Sequence, residues 1–216
     1  VPDSYIHGVF KTLWLEMGGR FSGGMREAPV PDGAVLLHAA TSPPLSELIR
    51  FVNKHSNNVM TRQFLLTLGA EKQGAPGTVE KGIAVIYEWL KQRDLEFAEL
   101  VLENGAGLSR EERISARHLG AVLLAAWQGP TMPEFLASLP ILSLDGTLRG
   151  RYGGVLAGRA HLKTGSLDNV RTQAGVLLDE QGRRMVVVTL HNDARVDTYA
   201  GEAVQNAVLN WVNKRP

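Results

Sequence analysis

The sequence predicts an α+β fold in which helices come first and an antiparallel sheet last. Three observations carry this reading. Apolar residues recur at helical spacing through most of residues 1–150. Three strand-like runs then follow one another closely between Ala160 and Leu190, and a last helical stretch runs from Thr198 to Trp211. No internal repeat and no low-complexity tract interrupts this order.

Ile6, Val9, Phe10, Leu13, Trp14 and Met17 repeat at helical spacing, and Gly18-Gly19 is a stop. Residues 20–33 are rich in Gly and Pro and read as loop, and residues 35–40 read as a strand. Pro43-Pro44 separates that strand from a helix with Leu45, Leu48, Ile49 and Val52 on one face. Asn58 is then the expected N-cap of a helix through Met60, Phe64, Leu65 and Leu68 that stops at Gly69. After a Gly/Pro loop at residues 70–78, Thr78 caps a helix bearing Val79, Ile83, Ile86 and Leu90. Leu100-Val101-Leu102 precedes the turn signal Glu103-Asn104-Gly105, and Ser109 with Glu112 fits a capping box. Ser115 opens a helix to Trp127, a short helix spans residues 133–137, and Asp145-Gly146-Thr147 marks a turn. Residues 160–164, 170–178 and 184–190 are the strands, with Glu180-Gln181-Gly182 as a hairpin turn. The closing helix offers Tyr199, Ala203, Ala207, Leu209 and Val212 to the core, and Trp14, Trp89, Trp127 and Trp211 are most simply core residues.

Composition excludes several classes of function. The 216 residues carry a formal net charge of +1, which gives no electrostatic footprint for nucleic acid or a membrane surface. No apolar run approaches the roughly 20 residues a spanning helix needs. Without cysteine there is no disulfide, thiolate nucleophile or cysteine metal site, and the six His form no His-x-x-x-His pair. Neither a metal nor a diffusible cofactor is expected. The chain begins with Val and shows no signal peptide, so it is read as a processed product or as cut from something longer.

The chemistry concentrates in two short motifs. Lys163-Thr164-Gly165-Ser166 lies at the end of a strand pattern. Lys163 there is a fixed positive charge for a cleft beside the strand, and Gly165 lets a substrate backbone approach without a Cβ in the way. The backbone N–H of Ser166 can point at a developing oxyanion, a contact typically worth about 3–4 kcal/mol in the transition state. The plain structural alternative is a surface Lys and a bulge Gly. Ser56-Asn57-Asn58 is the second motif: a Ser hydroxyl can relay a proton to a leaving amine and an Asn amide can hold a carbonyl, while helix capping explains Asn58 structurally. Lys-Thr-Gly and Ser-x-Asn are two of three signatures shared by penicillin-binding proteins and serine β-lactamases. The third, Ser-x-x-Lys, carries the nucleophile, and no Ser in these 216 residues has Lys three positions later. His191-Asn192-Asp193 reads as a strand-end turn, His161 as a packed or partly exposed strand residue, and Arg149 and Arg151 as solvated loop charges with anion contact the lesser alternative.

In order and surroundings the motifs resemble the D-alanyl-D-alanine carboxypeptidase/endopeptidases of the class C low-molecular-mass penicillin-binding proteins. Ser42-Pro43-Pro44-Leu45 leads to Asn53-Lys54-His55-Ser56-Asn57-Asn58. Asn104-Gly105-Ala106-Gly107-Leu108-Ser109 is similar to that family's Asp-Gly-Ser-Gly-Leu-Ser, with Asn and Ala substituted. Asp145-Gly146-Thr147-Leu148 precedes Gly158-Arg159-Ala160-His161-Leu162-Lys163-Thr164-Gly165-Ser166-Leu167.

The resemblance implies a β-lactamase/transpeptidase-like α/β/α sandwich, an antiparallel sheet flanked by helices and incomplete in this chain. Residues 1–216 would be the C-terminal portion of the catalytic domain. Within it, 1–40 would be the end of an inserted region, 41–150 the mainly helical part and 151–216 the sheet and closing helix. It implies an exported, periplasmic bacterial enzyme acting through an acyl-enzyme on peptidoglycan peptides ending in D-Ala-D-Ala, and acylated by β-lactams. Ser56 would be the second catalytic Ser and Asn58 a substrate-binding amide. Lys163, Thr164, Gly165 and Ser166 would line the carboxylate and oxyanion side, with Lys163 also catalytic. In the family the nucleophile and the first two strands lie upstream of Ser-x-Asn, so the isolated chain is expected to be inactive. Its strand at residues 184–190 would be an apolar edge, open to self-association or to the missing N-terminal part. Two alternatives stay open: a non-catalytic module binding peptidoglycan or a partner, and an acyl-transfer enzyme with Ser56 as nucleophile and Lys163 as base.

Overall fold

A computed structural model describes residues 2–196 and 199–216, and the chain divides into two units, Val1–Ser42 and Pro43–Pro216. The first unit holds α1 (Pro2–Glu16), which forms where the apolar spacing predicts and ends at Gly18, φ 83°. Phe10 stacks on Trp14, Phe21 meets Phe10 edge-on, and Trp14 Nε1 donates to the carbonyl of Arg20. The expected strand at residues 35–40 is absent. Val35, Leu36 and Leu37 carry no regular secondary structure and are 80%, 79% and 95% exposed, because β propensity makes a strand only where a neighbouring strand takes up its N–H and C=O groups.

The second unit begins with α2 (Leu45–His55), α3 (Asn58–Gln73) and α4 (Val79–Lys91). Gly69 does not stop α3. It lies where α3 crosses α4, and a Cβ there would stand 2.8 Å from the Gly82 nitrogen, so close helix approach explains it. The stop is Gly74, φ 84°, and the loop is correspondingly shorter than the sequence predicts. Thr78 caps α4 as expected, accepting from Lys81 N at 3.3 Å. Ser115 caps α5 (Ala116–Gln128) by accepting from His118 N. The short α6 (Met132–Ser138) and a 3-10 turn (Gly146–Leu148) also fall where the sequence places them.

The sheet is β1 (Ala160–Leu167), β2 (Val170–Leu178) and β3 (Arg184–Asn192), antiparallel in the order β1-β2-β3, and α7 (Tyr199–Asn213) closes the chain. Strand alternation gives the sheet two faces. Ala160, Leu162, Leu177 and Val187 meet Leu209 and Val212 of α7 in the core, and α5 packs over β2 and β3 from the other side, near Val186 and Val188. Among the described residues β3 pairs with β2 alone, so the expected open edge lies along residues 184–192.

Several local expectations are corrected. Thr198 and the Tyr199 side chain lie outside the described residues. Ala203 and Ala207 are exposed, and the buried stripe of α7 is Gly201, Gln205, Leu209, Val212 and Asn213. None of the four Trp is buried: Trp14 and Trp211 are 45% and 63% exposed, and Trp89 and Trp127 are intermediate. Arg93, Arg184 and Arg215 lie over the rings of Trp89, Trp127 and Trp211, an arrangement that favours an aromatic face at the surface. Ser109 makes a turn rather than a helix cap, and Glu112 accepts instead from the N–H groups of Glu103 and Asn104.

Candidate active site

Two helices meet almost without a linker at the first motif. α2 ends at His55, α3 starts at Asn58, and Ser56 and Asn57 turn the corner. Ser56 sits in the left-handed region, φ 53° and ψ 50°, with its N–H on the carbonyl of Val52. A non-glycine residue there is held by its surroundings, a common condition at functional sites. The expected cap is corrected by one position. Asn57, not Asn58, accepts from Met60 N at 3.0 Å, so capping no longer accounts for Asn58, and Asn58 lines a cavity.

That cavity, about 690 Å³, brings the sequence candidates together. Ser56, Asn58, Lys163, Thr164, Gly165 and Ser166 all line it, 107 residues separating Ser56 from Lys163. Lys163 Nζ donates to Ser56 Oγ at 2.9 Å and to the Thr164 carbonyl at 2.9 Å. Burial lowers the Lys163 pKa below its ordinary value, since its ammonium is partly removed from water.

Lys163 and Thr164 project to opposite faces of β1, yet both line the cavity, because it lies along the outer edge of the strand. On that edge Leu162 N donates to the carbonyl of Pro140, and the Ala160 carbonyl accepts from Leu142 N. The two-residue repeat turns the N–H and C=O of Thr164 and Ser166 the same way, beyond the reach of residues 140–142. The Lys163–Thr164 contact lies on this side. The Ser166 N–H thus lies on the outer edge of β1, the side away from β2. Gly165 has a further reason to lack a side chain: a Cβ would stand 2.6 Å from Oγ1 of Thr172, its cross-strand partner.

Sequence reasoning missed part of the wall. Thr147, Thr172 and Asn53 also line the cavity, Thr147 Oγ1 lying 3.4 Å from Thr164 Oγ1. Arg151, read from the sequence as a solvated loop charge, lines it too and pairs with Glu202. Residues 105–108 form a further stretch of the lining. Asn104 shapes it, accepting from Ala106 N and donating to the Leu108 carbonyl. The Asn104-to-Ser109 resemblance had marked this stretch without giving it a place. His161 is half-buried, with Nδ1 3.1 Å from the Leu136 carbonyl, and desolvation is the main influence lowering its pKa. Asn192 and His191 finish β3, and Asp193 accepts from Arg195, a strand-end turn as read from the sequence.

A sheet with α7 on one face, α5 on the other and a cavity at the edge of its first strand defines a transpeptidase-like fold, here in part. The chain belongs to the D-Ala-D-Ala carboxypeptidase 3 (S13) family, whose model matches residues 1–215. It is 32% identical over 190 residues to a D-alanyl-D-alanine carboxypeptidase of Actinomadura sp. (strain R39), covering 84% of this chain and 35% of that protein. It is 24% identical to D-alanyl-D-alanine carboxypeptidase DacB of Haemophilus influenzae, covering 88% of this chain and 40% of the relative. The structure of penicillin binding protein 4 from H. influenzae, complexed with a novel β-lactam, superposes with a TM-score of 0.84 at 23% identity, covering 98% of this chain and 51% of that one. The chain therefore spans well under half the length of these curated relatives.

Proposed function

We propose that this chain is the C-terminal part of the catalytic domain of an exported, serine-type D-Ala-D-Ala carboxypeptidase that works on peptidoglycan peptides through an acyl-enzyme and is acylated by β-lactams. The observation that carries the reading is the 2.9 Å contact between Lys163 Nζ and Ser56 Oγ, made across one cavity that Asn58 and Thr164-Gly165-Ser166 also line. Attack on the penultimate D-Ala carbonyl forms the acyl–oxygen bond and expels D-Ala, whose amine must gain a proton. Ser56 Oγ gives that proton and is resupplied by the Lys163 ammonium, which its lowered pKa makes a readier acid. The Asn58 amide holds a substrate carbonyl, and the Ser166 N–H faces the oxyanion.

The attacking Ser is not among these 216 residues, which contain no Ser-x-x-Lys. Loss of a triad-type nucleophile typically costs about 10⁶ in rate. Labelled penicillin incubated with the 216-residue chain is therefore expected to leave no covalent adduct. The Lys163–Ser56 contact also favours a second reading, in which Ser56 attacks and Lys163 is its base. A stoichiometric adduct mapped to Ser56 by mass spectrometry would establish that reading and remove the first. Calorimetry with an acyl-D-Ala-D-Ala peptide tests the substrate wall itself. Binding that disappears in Lys163→Ala, with no adduct, is the outcome that fits the substrate-holding part of a longer enzyme; no binding at all removes the reading. The open edge of β3 adds a proposal about partners: the chain pairs there with the rest of its own domain or with a second copy, and a stable soluble monomer by light scattering would count against it.

A further inference from the structure

The charged residues that line the cavity, among those described, are both positive. Lys163 and Arg151 stand among the hydroxyls of Ser56, Thr147 and Thr164, and among the described residues no Asp or Glu lines the cavity. Such a wall favours an anion. The two cations are not equivalent. Lys163 is engaged with Ser56 Oγ and the Thr164 carbonyl, and burial weakens its hold on the proton. Arg151 carries a planar fork of N–H donors suited to a carboxylate. Its Nη2 donates to Glu202 of α7, which fixes the guanidinium without filling its five-donor capacity.

The segment that carries Arg151 is built to hold one conformation. Ser143 and Tyr152 are in the left-handed region, φ 67° and 58°. Ser143 Oγ lies 2.6 Å from the Arg151 carbonyl and 2.7 Å from that of Tyr152. The Tyr152 hydroxyl donates to Gln205 Oε1 at 3.3 Å, so α7 grips the segment through Glu202 and Gln205, three residues apart on one face. The Gln205 carbonyl accepts in turn from Gln173 of β2, the register partner of Thr164. One hydrogen-bonded chain thus ties Arg151 to the strand pair that carries Lys163 and Thr164.

We infer that Arg151 is a substrate-contact residue that binds the free C-terminal carboxylate of the peptide, and that Glu202 is its positioning residue. The inference rests on the reading of the cavity as a D-Ala-D-Ala site. It divides labour on the wall: Lys163 serves the proton relay, and Arg151, with the Thr164 hydroxyl, reads the terminal carboxylate.

The test is calorimetry on the 216-residue chain with two probes, an acyl-D-Ala-D-Ala peptide and its C-terminal amide. The wild-type chain is expected to prefer the free acid. Arg151→Ala is expected to weaken the acid about tenfold or more, the usual loss for a charge-assisted hydrogen bond, and to leave the amide unchanged. Arg151→Lys keeps the charge without the fork and is expected to fall between. Glu202→Gln is expected to weaken the acid alone, by a smaller factor, with Glu202→Asp restoring part of it, which a purely structural role for Glu202 does not produce. Equal weakening of acid and amide in both Arg151 variants, or no weakening of either, overturns the inference and leaves the wild-type result to support the reading beneath it. No binding of either probe by the wild-type chain removes the reading and the inference together.

Discussion

Two lysines near the C-terminal end of α2 lead different lives. Lys54, on the helix itself, donates to Asp145 Oδ2 and to the Leu139 carbonyl, both at 2.6 Å. Lys163 reaches toward Ser56, two residues further along, and its partners there are a hydroxyl and a backbone carbonyl. A buried ammonium with a carboxylate is electrostatically satisfied and ties two segments together. A partly buried one among uncharged acceptors has not been compensated for its lost water, and its proton is easier to move. The same few residues at the end of α2 therefore meet two lysines in different electrostatic settings. What separates them is the presence of one acid.

Breaking the Lys54–Asp145 rivet is expected to have the largest effect. Lys54→Ala leaves Asp145 Oδ2 and a buried carbonyl without their donor, while Asp145 Oδ1 keeps the Ile141 N–H. Removing one partner of a buried pair costs about 3–5 kcal/mol, and with Asp145 30% exposed the lower end, about 3 kcal/mol, is expected in denaturant melts. Gly146→Ala strikes the same joint from the other side. Its φ is 55° and the new Cβ would stand 2.7 Å from the Lys54 carbonyl, so a loss of about 2 kcal/mol is expected.

The rivet also has a pH signature. Burial pushes the Asp145 pKa up, but the Ile141 N–H, the Lys54 ammonium and the charge of Arg50 outweigh it and hold the carboxyl below its ordinary 3.8. Its stabilisation is therefore complete above the unfolded-state value and lost as pH falls through the folded one. Asp145→Asn should flatten the fall in melting temperature below about pH 4, relative to wild type. An unchanged acid limb would assign that limb to other carboxylates.

The smaller effects sharpen the boundary between structure and chemistry. Asn57→Ala is expected to cost about 1 kcal/mol as a lost N-cap, and Asn58→Ala to cost little stability while weakening peptide binding. Lys163→Ala is expected to change stability by less than about 0.5 kcal/mol, or to raise it, since functional groups are often held at the expense of stability. A loss near that of Lys54→Ala would show that both lysines are rivets and end the comparison.

Much of this was legible in the chain. α1 to α7 and the three strands follow from apolar spacing and from caps such as Thr78 and Ser115, because those signals act within a turn or two of helix. The errors arose where a local signal has two meanings. Gly69 reads as a stop and is a helix crossing, residues 35–40 read as a strand and have no partner, and Asn58 reads as a cap one position late. The Trp residues read as core because size favours burial, whereas arginines cover three of them at the surface.

By itself the sequence determined the element order and the two motifs, since periodicity, capping and a fixed order of Ser, Asn, Lys, Thr and Gly are properties of neighbours along the chain. Only the tertiary structure decided what faces what. Ser56 and Lys163 meet across 107 residues of sequence, and Arg151, which lines the same cavity, pairs with Glu202 of α7. Lys54 finds an acid where Lys163 finds a hydroxyl. Those pairings depend on the packing of distant elements and on how much water that packing leaves at each charge, and no local pattern carries that information.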